Sequence, residues 1–295
     1  MGAGESLTSR QARFAGAGGL QIYWQAWLPG PGAVAVIVIA HGAGEHSGRY
    51  AHVATRLVAE GYAVYAIEHR GHGRSEGPRA LIDRIDNAVA DLDLLVRLSA
   101  DAYPRSPVFL LGHSMGGTLA LCYAQRHQDR LAGLILSGPL AAIEAPTAMR
   151  IAGKILSVLT PRLPLIGIDS SLISRDLAVV RSYESDPLVH HGRLPVRTAA
   201  ELAAAIESFP DQIGAITVPT LIAYGTADGL CPPAGSLMLA ARIGAPDTTV
   251  KAYEGLYHEI LNEPQRNQVL DDICHWLGSH VVPAGTRGAT GSTTS

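Results

Sequence analysis

A serine flanked by glycines, Gly112-His113-Ser114-Met115-Gly116, is the feature that most constrains what this chain can fold into. It directly follows the apolar run Val108–Leu111, which has the length of a buried strand, and directly precedes the helix-forming segment Met115–His127. The glycines allow a reversal so tight that a Cβ would collide with neighbouring backbone. A strand–serine–helix turn of this kind raises the hydroxyl of Ser114 above the edge of a sheet. A serine that merely caps a helix in a glycine-rich turn is the plainer alternative, and the flanking strand and helix argue against it.

Apolar runs that alternate with segments of helical period predict a mixed α/β core. From Ala33 onward these runs are nearly all apolar, as expected for parallel strands that are buried on both faces. The short links favour a mostly parallel sheet flanked by helices. The predicted strands are Leu20–Leu28, Ala33–Ala40, Ala63–Glu68, Val108–Leu111, Leu131–Leu136, Thr220–Tyr224 and Thr249–Tyr253. The predicted helices are Tyr50–Glu60, Ile82–Ala100, Met115–His127, Pro233–Ile243 and Pro264–Leu277.

The alternation of strands and helices breaks after Gly138-Pro139 and resumes near Thr220, which predicts an insertion in the sheet. Between Leu140 and Thr198 we predict no strand, but a helical stretch and a passage rich in proline, glycine and serine. The expected organisation is a core in two parts, residues 1–139 and 199–282, with a helical cap inserted at residues 140–198. Residues 283–295, rich in glycine, serine and threonine, are predicted to form a disordered tail.

The composition excludes several classes of protein. The chain has 295 residues, 47% of them apolar and 17% charged, and its net charge of −3 comes without a basic patch, so we expect no nucleic acid partner. Three cysteines are too few and too scattered for a disulfide framework. No run approaches the roughly 18 apolar residues of a membrane span, and Met1–Arg13 lacks the apolar core of a signal peptide. We therefore expect a globular protein that is cytoplasmic or peripherally associated with a membrane.

A serine nucleophile needs a base, and the base needs a group that orients it. Where a serine is raised above a parallel sheet in this way, the acid and then the histidine follow it along the chain, each after a later strand. Asp228 and His258 directly follow the last two predicted strands. Neither Asp211 nor Asp247 follows a strand end in this way, and the later histidines fall in the last helix or the tail. We therefore predict a catalytic triad of Ser114, Asp228 and His258.

An oxyanion hole requires two backbone N–H groups that point at a developing negative charge. Met115, the residue after the serine, supplies one of them. The loop His41-Gly42-Ala43-Gly44-Glu45-His46 follows the second predicted strand, and its glycines let the backbone approach closely, so that Ala43 N–H is the second candidate. The same loop, with Glu68 at the end of the next strand, imitates a dinucleotide-binding turn, but its third glycine falls one place too late. We expect no dinucleotide.

Two pairs of histidines and one cysteine lie outside the predicted triad. His69-Arg70-Gly71-His72 and His190-His191 offer imidazole nitrogens, but no carboxylate or thiolate at a suitable spacing completes a metal site. We predict that these histidines lie in loops or at the surface, and that the chain uses no metal and no cofactor. Cys231, three residues after Asp228, either lies near the site or is a small buried hydrophobic residue.

Several segments of the chain resemble the monoacylglycerol lipases, and the similarity extends from about Gly18 to Leu277. These segments are His41–Tyr50 (HGAGEHSGRY), Gly71–Gly77 (GHGRSEG), Leu111–Gly117 (LGHSMGG), Ser185–Leu188 (SDPL) and Tyr253–His258 (YEGLYH). The resemblance implies an α/β-hydrolase fold with a cap over the site. It also implies that the ester of a monoacylglycerol is cleaved to fatty acid and glycerol through an acyl-enzyme. A general carboxylesterase or lysophospholipase with the same triad is the alternative, and a catalytically silent binding module on this fold is a further one.

The resemblance also implies which residues meet the substrate. It assigns the same triad and the same oxyanion residues, and it places Glu45 and Arg49 at the glycerol end of the substrate, with Tyr183 as a further candidate. Leu261 stands where animal members of the family carry a second histidine, which implies a less polar glycerol pocket. The implied partners are the small lipid substrate and, transiently, a membrane or lipid surface that the cap contacts. A homodimer is left open.

The segment Ala148–Thr160 of the predicted cap has a helical period. Arg150, Lys154 and Ser157 fall on one narrow polar stripe, and apolar residues cover the wide remainder. Two explanations are open: a helix packed on the core, or a lid whose apolar face lines an acyl tunnel and rests on a lipid surface.

Overall fold

A single large sheet organises the part of the chain that the computed structural model describes, residues 8–30, 32–143 and 147–281. The strands are β1 Thr8–Ala15, β2 Gln21–Leu28, β3 Val36–Ala40, β4 Ala63–Ile67, β5 Val108–His113, β6 Gly133–Ser137, β7 Pro164–Ile166, β8 Leu194–Pro195, β9 Thr220–Gly225 and β10 Thr248–Tyr253. The large sheet has the order β1-β2-β4-β3-β5-β6-β9-β10. Strands β1, β2 and β4 pair antiparallel with one another in that order, and the pairs from β4 to β10 are parallel.

Helices cover both faces of this sheet. They are α1 Ala51–Ala59, α2 Ile85–Ala102, α3 Met115–His127, α4 Thr147–Leu159, α5 Leu177–Ser185, α6 Val196–Gln212, α7 Pro233–Arg242 and α8 Arg266–His280. Along β3, Val36 and Val38 pack in the apolar cluster that includes α2 and α3, and Ile37 and Ile39 pack with α1 and α8 on the opposite face. A strand between two helical layers has no solvent-facing side, which is why β3 is apolar throughout. The predicted mostly parallel sheet flanked by helices is confirmed.

The parallel strands bring their carboxyl ends together at one edge of the sheet. Ala40 at the end of β3 pairs with Gly112 of β5, and Ser137 at the end of β6 pairs with both His113 and Ala223. The loops that follow these strands therefore begin side by side. In open α/β sheets this edge, where the carboxyl ends of the strands meet, is where ligands bind.

The first strand, β1, was not predicted from the sequence. It contains Arg10, Gln11 and Arg13, and most of its described side chains are exposed or half-buried. An edge strand of this kind is held by backbone pairing with β2 and does not need an apolar pattern.

The chain between β6 and β9 forms helices α4, α5 and α6 and the two-stranded antiparallel sheet of β7 and β8. The prediction of no strand between Leu140 and Thr198 is therefore wrong. These strands are two or three residues long and each contains a proline, so they lack the apolar run that identifies a core strand. Helix α6 crosses the predicted cap boundary at residue 198, and that boundary stays a prediction. The predicted tail, residues 283–295, lies outside the described residues.

None of the helices within the described ranges combines the length and the apolar character needed to cross a membrane.

Candidate active site

Ser114 lies in the tight turn between β5 and α3, with φ 54° and ψ −120°. A positive φ at a non-glycine residue is strained and typically costs about 1–3 kcal/mol, so the surrounding structure must hold it. A Cβ on Gly112 would come within 2.5 Å of the Gly116 carbonyl oxygen, and one on Gly116 within 2.0 Å of the Ala40 carbonyl oxygen. Backbone carbonyl oxygens lie so close to these two positions that only glycine fits, as the sequence motif indicates.

The predicted acid and base meet beside this turn. Asp228 follows β9, His258 follows β10, and His258 Nδ1 lies 2.8 Å from Asp228 Oδ2. The other carboxylate oxygen, Oδ1, accepts hydrogen bonds from the backbone N–H groups of Leu230 (2.9 Å) and Cys231 (2.8 Å). Asp228 is thus fixed in orientation, and its Oδ2 keeps the proton of the imidazole on Nδ1. Nε2 of His258 is then left unprotonated, as a general base requires.

The electrostatic surroundings of His258 favour its charged form. Burial by itself lowers the pKa of His258, but the adjacent Cys231 and the Asp228 carboxylate outweigh burial and raise the pKa well above its ordinary value. His113 packs against His258 with ring centroids 4.7 Å apart, and burial together with His258 lowers the pKa of His113. His113 is consequently neutral, and His258 is the imidazole of this pair that binds a proton near neutral pH.

The two predicted oxyanion donors, Ala43 and Met115, both line the cavity above Ser114. Neither backbone N–H donates a hydrogen bond to another described residue, so both are available to an incoming oxygen. Met115 is the first residue of α3, and the partial positive charge of the helix N-terminus strengthens the attraction of its N–H for a negatively charged oxygen.

The loop that carries Ala43 is held from both sides at Gly42. Gly42 N–H donates to Glu45 Oε1 at 2.5 Å, and the Gly42 carbonyl oxygen lies 2.7 Å from His41 Nδ1. His41 Nε2 accepts a hydrogen bond from the backbone N–H of His69 at 3.0 Å, which makes Nδ1 the protonated nitrogen. His41 therefore orients the Gly42–Ala43 peptide through its carbonyl, and this peptide contains the predicted oxyanion N–H.

The prediction that His69 and His72 lie in a loop or at the surface is met by the loop, but neither side chain is exposed. Both follow β4 in a loop, but they are 0% and 1% exposed and their rings contact His41, with centroids 4.5 and 5.4 Å apart. Burial lowers the pKa of His72 to about 3 and lowers that of His69 well below its ordinary value. Neutral imidazoles are compatible with this packed interior, and their contacts with His41 support the loop that carries Ala43. His190 and His191, by contrast, are half-buried and exposed.

Ser114 and His258 open into a cavity of about 360 Å³, a size typical of small-molecule sites. Most of its lining is apolar, and much of that comes from the segment between β6 and β9. The polar part of the lining gathers the three acidic or aromatic side chains Glu45, Tyr183 and Glu259. Apolar lining residues include Leu140, Ile166, Ile168, Ile173, Leu194 and Leu202.

The residues predicted for the glycerol end are brought together, although not all of them face the cavity. Glu45 and Tyr183 line the cavity, whereas Arg49 lies behind them. Arg49 Nη1 donates to Glu45 Oε2 (2.7 Å) and to Glu259 Oε1 (2.6 Å), Nη2 donates to Glu259 Oε2 (2.7 Å), and the guanidinium stacks 4.9 Å over the Tyr183 ring. The acidic residue Glu259 was not predicted from the sequence. Its only signal was its place beside His258.

Leu261, for which the resemblance implied a less polar glycerol pocket, does not line the cavity, and that implication stays a prediction. It is 3% exposed and lies outside the cavity lining of the described residues, and its carbonyl oxygen interacts with His52 Nε2 at 2.8 Å. Polarity at this end of the cavity is instead set by Glu259, which lies two residues earlier. A carboxylate therefore contributes to this wall of the cavity.

Cys231 satisfies both explanations that the sequence left open. It is 6% exposed, and its Sγ lies 3.8 Å from Ser114 Oγ. The thiol is thus a buried small side chain that also lines the cavity next to the predicted nucleophile.

Helix α4 packs against α6, as one of the two explanations expected, but it presents its apolar face outward. Ile151 and Ile155 are 55% and 56% exposed, and Val158 and Leu159 are each 72% exposed. Two residues of the polar stripe lie toward the rest of the protein: Ser157 is buried, and Nζ of the exposed Lys154 side chain lies 3.1 Å from Glu207 of α6. None of the described side chains of α4 lines the cavity, so the predicted lining of an acyl tunnel by this helix is not seen.

Comparison with known proteins identifies the family. A family model described as serine aminopeptidase, S33, matches residues 31–265. The monoacylglycerol lipase of Mycolicibacterium smegmatis is 41% identical over 94% of this chain and 99% of its own length. The human monoglyceride lipase is 38% identical over 92% of this chain and 91% of its own length.

Solved structures agree with this relationship. The monoacylglycerol lipase of Paleococcus ferrophilus, 30% identical, superposes with a TM-score of 0.78 over 93% of this chain and the whole of its own. A soluble variant of the Saccharomyces cerevisiae monoglyceride lipase, solved with a substrate analogue, is 23% identical and shares the fold with a TM-score of 0.84 over 95% of this chain and 98% of its own. The chain therefore belongs to the monoacylglycerol lipase family of the α/β-hydrolase superfamily.

Proposed function

We propose that this enzyme hydrolyses monoacylglycerols to a fatty acid and glycerol, with Ser114 as the nucleophile. The observation that carries the proposal is the division of one cavity into an apolar part and a small polar end, with Ser114 and His258 in its wall. A monoacylglycerol has the same division, since one acyl chain and one small polyol meet at the scissile ester. Relatives that are named monoacylglycerol lipases support the same substrate.

The proposed mechanism begins with proton transfer. His258 Nε2 takes the proton of Ser114 Oγ as the oxygen attacks the ester carbonyl, and Asp228 stabilises the imidazolium that forms. The carbonyl oxygen gains negative charge and accepts hydrogen bonds from the N–H groups of Ala43 and Met115. Removing one such donor typically slows an acyl transfer by about 10²–10³, which is why the bracing of the Ala43 loop matters.

The second half of the reaction releases both products. His258 gives its proton to the glycerol oxygen as the bond from that oxygen to the acyl carbon breaks, and the acyl group stays on Ser114. Water then loses a proton to His258 and attacks the acyl carbon. The fatty acid leaves, and Ser114 Oγ regains its proton from His258.

A substrate panel tests the proposed substrate. We expect kcat/KM for a monoacylglycerol to exceed that for the diacyl- and triacylglycerols of the same chain and for the matching lysophospholipid. Equal rates across the panel would support the general carboxylesterase or lysophospholipase in its place. Failure of the purified protein to react with a fluorophosphonate would support the silent binding module.

We also propose that α4 contacts a lipid surface. Its outward face carries four large apolar side chains that are more than half exposed, Ile151, Ile155, Val158 and Leu159. Ile166, which is 48% exposed, is part of the cavity lining, so apolar surface continues from the outside of the inserted segment to the site. Exposed apolar surface of this extent typically marks a site of interaction, and a helix with such a face binds at lipid interfaces.

Vesicle flotation tests this contact. Wild type should float with phosphatidylcholine vesicles that contain a monoacylglycerol, and the Val158→Ser, Leu159→Ser double variant should float less while hydrolysing a water-soluble ester at the wild-type rate. The matched control is Val34→Ser. Val34 is also exposed (50%), but it lies just before β3 and outside the inserted segment. Equal flotation of all three proteins contradicts the contact.

A further inference from the structure

The polar end of the cavity holds more negative than positive charge. Two carboxylates, Glu45 and Glu259, line it and are 3% and 5% exposed, and they share the single guanidinium of Arg49. Burial raises the pKa of Glu45, but the Arg49 guanidinium outweighs burial and the pKa is lowered to about 2, so Glu45 is ionised. Glu259 pairs with the same guanidinium through both of its carboxylate oxygens. The group as a whole carries one net negative charge.

The positive charge in this group faces away from the substrate. Arg49 is absent from the cavity lining, and no lysine or arginine of the described ranges contributes to that lining. The other titratable side chains around the polar end are Tyr183, which burial holds in its neutral form by raising its pKa to about 12, His113, which is neutral, and His258, which must be neutral to act as base. A leaving group in this end of the cavity therefore faces two carboxylates and no lysine or arginine side chain of the described residues.

The two carboxylates also have free hydrogen-bond acceptor positions, which favour a leaving group that donates hydrogen bonds. Glu45 Oε1 accepts from Gly42 N–H and Tyr50 Oη–H, whereas Glu45 Oε2 accepts only from Arg49 among the described residues. Glu259 Oε2 accepts from Arg49 and Asn262, and Glu259 Oε1 accepts only from Arg49. A carboxylate oxygen accepts about two hydrogen bonds, so each carboxylate keeps one free acceptor position. A glycerol that is esterified once has two free hydroxyl donors.

We propose that Glu259, together with Glu45, selects the leaving group by charge: neutral polyols and cationic alcohols are accepted, and anionic alcohols such as glycerol phosphates are rejected. The inference rests on the proposed function, because it concerns the leaving group of the same ester. It assigns to Glu259 a role in specificity that the catalytic steps do not require.

Three esters of one short acid test the charge selection without a lipid interface. Butanoyl glycerol, butanoyl choline and 1-butanoyl glycerol 3-phosphate share the acyl group and differ in the charge of the leaving alcohol. In wild type we expect kcat/KM for the glycerol and choline esters to exceed that for the phosphate ester by at least about tenfold, because like charges a few ångströms apart in a protein cavity repel strongly. Equal values for all three esters overturn the proposal.

The variant Glu259→Gln removes one charge and keeps the shape of the side chain. We expect it to reduce the preference for the glycerol ester over the phosphate ester by about tenfold, since one of the repelling charges is lost. The matched control is Glu254→Gln, an exposed glutamate in the same loop after β10, which should leave the preference unchanged. Complete labelling by a fluorophosphonate shows that the Glu259→Gln protein has an intact site. If that protein keeps the wild-type preference for the glycerol ester over the phosphate ester, the proposal is overturned.

Product inhibition of wild type provides a test that does not depend on folding of the variant. Choline and glycerol should compete with butanoyl glycerol more strongly than glycerol 3-phosphate does, and equal competition overturns the charge selection. The proposed function fails in a different way. It fails if dibutanoyl and tributanoyl glycerol are hydrolysed as fast as the monobutanoyl ester, whatever the effect of charge.

Discussion

The substitution Asp228→Asn should nearly abolish hydrolysis while leaving the fold intact, because the backbone dictates which way the new amide faces. Oδ1 of Asp228 accepts two backbone N–H groups, from Leu230 at 2.9 Å and from Cys231 at 2.8 Å. In asparagine only the carbonyl oxygen can accept these bonds. The amide NH₂ must then take the place of Oδ2, which lies 2.8 Å from His258 Nδ1.

The consequence is the wrong tautomer of the base. Reversing the amide would cost two hydrogen bonds and leave two buried N–H groups unsatisfied, at about 1–3 kcal/mol each, so the reversed form is a minor one. Facing an NH₂ donor, Nδ1 of His258 becomes an acceptor and the proton moves to Nε2, which can no longer take the proton of Ser114. A comparable change of tautomer in a serine protease triad lowers kcat by about 10⁴, and we expect a loss of the same order.

The assay is the hydrolysis of a chromogenic short-chain ester, for which kcat and KM are measured on variant and wild type at one pH. The melting temperature checks the fold, and Asp211→Asn, which neutralises an exposed aspartate, is the control that should keep wild-type kcat. If Asp228→Asn keeps more than about a tenth of the wild-type kcat, the amide does not force His258 into the inactive tautomer.

Two further predictions concern the base and the turn. Burial by itself lowers the pKa of His258, but the neighbouring Cys231 and Asp228 raise it above its ordinary 6.5. The value of kcat/KM should therefore rise with pH through a pKa above 6.5, and a wild-type limb below 6.5 contradicts this. In urea unfolding, Gly116→Ala should lose about 3 kcal/mol or more of stability because its Cβ would lie 2.0 Å from the Ala40 carbonyl oxygen. Gly153→Ala, with no atom within 4 Å of its Cβ, should gain about 0.5–1 kcal/mol, and equal stabilities of the two variants would contradict the packing argument.

The sequence predicted the central sheet and the placement of the triad because both follow from local pattern and chain order. Core strands such as β3 are apolar on both faces, and Asp228 and His258 each follow a strand in the expected order. Once the carboxyl ends of parallel strands share one edge, these residues must be close in space. No long-range contact had to be guessed.

Glu259 was missed because its role depends on a contact across 210 residues of chain. Its carboxylate pairs with Arg49, and nothing in the local sequence shows that the guanidinium is already occupied. The burial of His69 and His72 could not be predicted for a related reason. A histidine in a glycine-rich loop resembles a surface residue until the packing against His41 is known. Strand β1 was missed because pairing with β2, and not an apolar pattern, holds it in place.

The most direct test of the central claim is the rate of Ser114→Ala on a monoacylglycerol, with the purified variant compared against wild type. We expect a rate below about 10⁻³ of wild type, since losing the nucleophile of a triad typically costs about 10⁶. Labelling by a fluorophosphonate should disappear in the same variant. A rate above that limit, with the variant folded, would contradict the assignment of Ser114 as the nucleophile.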